Sequence, residues 1–136
     1  MTSGMLVAFG FSWMVVAALL GLHLGARHAN HIETLAGLAQ RGDLAGFYKA
    51  FEAFQWRTSV HAHGMLFSLS AIAVGLALPL AGYGQTMSAV LVAAFIVATV
   101  VWTLSACMRI RLLMGVGDLA FVCTVAIVAW GAATHL

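Results

Sequence analysis

Four long runs almost free of charge constrain this chain more than anything else in it. They read as Met5–Arg27, Thr58–Ala81, Met87–Met108 and Leu112–Ala133, and each reaches the roughly 20 residues needed to cross the hydrocarbon core of a bilayer. Of the 136 residues, 63% are apolar and only 7% charged, where a soluble domain carries about a quarter charged residues. Too little polar surface remains to cover a water-soluble globule. The expected fold is all-α: one integral membrane domain over residues 1–136, a four-helix up-down bundle whose short connections force antiparallel neighbours. The first run is longer, and poorer in N-terminal charge, than a cleaved signal peptide, so it reads as a retained helix.

The basic residues set the expected orientation. Arg27, Arg41, Lys49 and Arg57 lie between the first and second runs, and Arg109 and Arg111 between the third and fourth. The remaining connection, Gly82-Tyr83-Gly84-Gln85-Thr86, carries no charge. By the positive-inside rule the basic side is cytoplasmic and both termini face out. The expected location is a bacterial inner membrane. Basic residues so few and so tied to topology do not suggest nucleic-acid binding, and no phosphate loop, nucleophile elbow or HExxH motif is present.

The polar stretch between the first two runs contains a helical period. Leu44, Phe47, Tyr48, Phe51 and Phe54 recur on one face, with Asp43 as an N-cap. This predicts an amphipathic helix over about residues 43–55, lying in the cytoplasmic headgroup layer or packed as a lid on the bundle, with Trp56 as an interfacial anchor. Pro79 should end the second span beside the glycine-flanked turn. Cys107 and Cys123 stand too far apart along their spans to pair, and read as small buried hydrophobes.

Five of the six histidines gather on the basic side: His23, His28, His31, His61 and His63. An ionisable group at a membrane mouth is costly unless it is paired, so it points to a working site. Some interfacial histidines are merely hydrated, which is the bland alternative. His61 and His63 are two apart, so on a helix they point about 200° away from each other. His63, deeper and followed by Gly64, is the expected buried ligand, and His61 is expected to face outward. In the first span Gly21-Leu-His-Leu-Gly25 forms a small-xxx-small pattern that admits a close neighbour, with His23 on the far side of the helix. Haem b between His23 and His63, its propionates paired with Arg109 or Arg111, is one reading of this set. A copper or zinc site drawing on His28, His31, His61 and His63, with Glu33 nearby, is another. Asp118, two turns into the fourth span, is expected to pair with an arginine or to carry a proton.

The stretch Trp56-Arg-Thr-Ser-Val-His-Ala-His-Gly-Met-Leu-Phe-Ser-Leu69 resembles the second helix of haem-copper oxidase subunit I and its small four-helix relatives. In that family a histidine followed by glycine ligates the low-spin haem. The resemblance implies that His63 is the haem ligand, accompanied by His61. A second resemblance is to the membrane-associated eicosanoid and glutathione metabolism proteins, through Arg27-His-Ala-Asn-His-Ile-Glu33. It ranks second because that signature follows the first helix here instead of opening the second. The expected function is a haem- or metal-binding membrane subunit for electron transfer or sensing, in a homo-oligomer or larger complex. A glutathione-dependent membrane transferase and a cofactor-free accessory subunit are the alternatives.

Overall fold

The computed structural model describes residues 2–135. It contains five α-helices: α1 (Thr2–Ala26), α2 (His28–Gln40), α3 (Leu44–Ala77), α4 (Gln85–Met108) and α5 (Arg111–His135). No strand occurs among the described residues. α1, α3, α4 and α5 are each long and apolar enough to cross a membrane.

The reading of the polar segment is corrected at two points. Residues 28–40, for which the polar stretch carried no helix prediction, form α2; Ala, Leu, Glu and Gln are good helix formers and no proline interrupts them. The helix expected at 43–55 is also not a separate piece in the headgroup plane. It is the first part of α3, which runs 34 residues without a break. Gln55-Trp56-Arg57-Thr58 contains no glycine or proline, and a sharp bend in a helix needs such a cause. At 1.5 Å per residue α3 is about 51 Å long, well beyond the hydrocarbon core. Its start is where the sequence placed it: the Asp43 side chain accepts a hydrogen bond from Gly46 N–H at 2.9 Å. α2 turns back onto α3 through Gly42, whose φ of +69° suits a residue without Cβ.

At its other end α3 passes into a 3-10 turn, Leu78–Ala81, with Pro79 in its first positions and Gly82 left-handed after it. α4 closes in a Schellman motif. Arg109 is left-handed at φ +58°, and Ile110 N–H bonds Ser105 O at 2.8 Å.

α1 packs chiefly on α3, and α4 chiefly on α5. Along α1 and α3 the contacts run in opposite senses. Ser3 and Val7 face Gly75, Gly10 faces Ser68 and Ala71, and Ala17 faces Gly64. On the other pair, Ala98 and Trp102 face Gly117. The centre holds Phe67, Phe95, Trp102 and Phe121 edge to face, with centroid separations of 4.8–5.3 Å. The outward faces are apolar as well: Leu112 is 79% and Trp130 72% exposed, with Leu19, Leu22, Leu69 and Leu119 also open. Bulky side chains open on every long helix need a lipid environment, not water. Both cysteines are free thiols on exposed faces, not in the core as expected.

Candidate functional site at the histidines

Helix geometry separates His61 from His63, but in the direction opposite to the one expected. His61 turns toward α1. Its Nδ1 lies 2.9 Å from Ala17 O, and a carbonyl can only accept, so Nδ1–H is the donor. The ring lies over Gly21, where a Cβ would come within 2.6 Å of it. Gly21 is thus the close approach that the small-xxx-small pattern promised, and the neighbour it admits is an imidazole. Gly25 has nothing within 4 Å of an added Cβ. Beside His61 an apolar groove of about 600 Å³ opens between α1 and α3, walled by Ala18, Gly21, Leu22, Gly25 and Met65.

His63 faces α4 instead. Its ring stacks on Trp102 at 4.5 Å and 17°, and its Nδ1–H donates to Ser59 O at 2.9 Å. Gly64, expected to admit a flat cofactor, instead meets the Ala17 side chain of α1. His23 is exposed on α1, two residues from Gly21 and so on the far flank of the helix. His23 and His63 therefore do not converge, and a haem held between them does not fit.

The metal set is also dispersed. His31 stacks on Phe54 at 4.1 Å, and His28 lies tilted at 5.8 Å from the same ring. His61 faces α1 and His63 faces α4. Among the described residues no three His, Cys, Asp or Glu side chains gather as a metal would require. Glu33 is exposed, and Asp118 is half-buried on α5. Arg109 sits over the Trp56 ring, 5.8 Å from its centre, and lines a different cleft, with Trp56 and Cys107. Neither Arg109 nor Arg111 lines the groove at His61.

His61 is the histidine that lines this groove, and its imidazole is anchored by the Ala17 carbonyl. The groove is wide open, and apart from His61 its walls carry small and apolar side chains. The sequence contained a signal for this pairing. Gly21 lies six residues before Arg27 and His61 four after Arg57, so both sit at similar depth below one basic boundary. No comparable signal marked Trp102 as the partner of His63. Comparison with family models, curated proteins and solved structures returns no match.

Proposed function

We propose that this chain is a membrane-embedded haem-binding protein with an electron-transfer or sensing role, and that His61 is its axial ligand. The observation that carries this is the His61 ring, fixed by the Ala17 carbonyl and lying over Gly21 at the edge of an open apolar groove. Haem b, when bound, supplies a one-electron couple. The chain's part would be to present the His61 imidazole, oriented by the Ala17 carbonyl, and to wall the ring with Ala18, Leu22 and Gly25. The resemblance of Trp56–Leu69 to a haem-ligating oxidase helix supports the same class of cofactor, with the role moved from His63 to His61.

The accompanying topology is an up-down bundle in a bacterial inner membrane, both termini outside. It is supported by the opposed register of α1 on α3 and by six basic residues on one side. Only 17% of the apolar window of α1 is buried, against 44% for α4. That leaves α1 a wide face for a second copy or a larger complex.

The test is an optical spectrum and iron content of protein purified from membranes grown with a haem supply. A Soret band with about one iron per chain is expected, lost in His61→Ala and kept in His63→Ala and His23→Ala. No Soret band and no iron, or full haem in His61→Ala, overturns the proposal. The first outcome favours a cofactor-free accessory subunit.

A further inference from the structure

Further along the α1–α3 face that carries His61, a second cleft of about 380 Å³ lies where α1 gives way to α2. Its walls are two facing stripes at helix-face spacing. Arg27, Asn30, His31 and Thr34 form one, and Ala50, Ala53, Phe54 and Arg57 the other. No carboxylate lines it. Glu33 and Glu52 belong to other faces of the same helices.

We propose that this cleft binds a phosphate group. Three features converge on that chemistry. Two guanidinium groups, Arg27 and Arg57, line one cleft, and such planar forks take phosphate oxygens in pairs. Asn30, in the first turn of α2, adds the two N–H donors of its side-chain amide to the cleft. The His31 ring is held flat against Phe54, which leaves its polar edge at the cleft. The Thr34 hydroxyl already donates to Asn30 O at 2.7 Å, so Asn30, His31 and the two arginines are the recognising side chains. Ala50 and Ala53 leave the room.

The cleft stands at the end of the α1 span, and basic pockets at the ends of membrane spans hold anionic headgroups. The phosphate is therefore that of an anionic phospholipid or a soluble phosphate, and the two sources are separable. Neither depends on haem.

Delipidated full-length protein is titrated with phosphatidylglycerol or phosphatidylcholine and read by native mass spectrometry. Inorganic phosphate is titrated separately and read by phosphorus NMR line width. At least a fivefold preference for phosphatidylglycerol is expected, weakened at least fivefold in Arg27→Gln and in Arg57→Gln but unchanged in Lys49→Gln. Broadening of the inorganic phosphate line, abolished by the double Arg variant, identifies a soluble ligand instead. Arg27→Lys/Arg57→Lys keeps the charge without the forks; it covers the case in which the Gln variants do not fold, and weakened phosphate binding is expected there too. Binding by folded Arg27→Gln/Arg57→Gln equal to wild type, a Lys49→Gln loss as large as the arginine losses, or binding of neither ligand overturns the proposal.

Discussion

At the scale of single residues, neighbours two apart in sequence lead separate lives. His61 is fixed to α1 by the Ala17 carbonyl, and His63 stacks on Trp102 of α4. The 3.6-residue period made that separation legible. Which imidazole met which helix was not legible, because the period says nothing about which neighbour lies on which side. A side chain at position 21 has no room beneath the His61 ring, so Gly21→Val should displace that ring. Overpacking of this kind costs about 1–3 kcal/mol. Unfolding in mixed detergent measures it, and a variant as stable as wild type would show that Gly21 is not a close-packing site. Trp56 Nε1–H donates to Ala106 O at 3.1 Å. Trp56→Phe keeps most of the ring and loses the bond, for a cost of ~0.5–1.5 kcal/mol in the same assay; no loss would show that the bond contributes nothing to stability.

At the scale of elements, α3 is the piece that joins the span to the polar hairpin. Its N-terminus was readable, because Asp43 satisfies a free backbone N–H and the apolar period begins just after it. Its continuity was missed because a change of composition at Trp56, from amphipathic to apolar, resembles a boundary. Composition alone does not end a helix; backbone chemistry does, and none of residues 55–58 supplies it. Asp43→Ala removes the cap and should destabilise the hairpin by about 1 kcal/mol, seen as faster amide exchange in residues 44–48 with the spans unaffected. Gln55→Pro should cost roughly 3 kcal/mol or more by breaking α3 between its polar and apolar parts. If the two parts were already separate helices, that substitution would be nearly silent.

At the scale of the whole molecule, the arrangement rests on pairwise packing: α1 on α3 through small residues, α4 on α5 around Trp102 and Gly117, and the aromatic centre between them. Tyr83, in the turn before α4, donates its hydroxyl to Ile127 O at 2.7 Å, and Gly82 of the same turn lies against the His135 ring. That end of the protein is thereby closed without a charged residue in the turn. The proposed topology predicts opposite labelling of the two ends. With Cys107 and Cys123 replaced by serine, Gly84→Cys should react with an impermeant maleimide on intact cells, and Gly42→Cys only after permeabilisation. The reverse pattern would invert the orientation. Four helices long and apolar enough to span, and their order, were determined by the sequence itself, because a chain with so few charges must hide its backbone in helices. The tertiary structure alone decided that Gly21 meets His61, that Trp102 meets His63, and that two arginines thirty positions apart line one cleft. Those pairings depend on how far one helix is turned and slid against another, and that is settled by packing many side chains at once, not by any local run of residues.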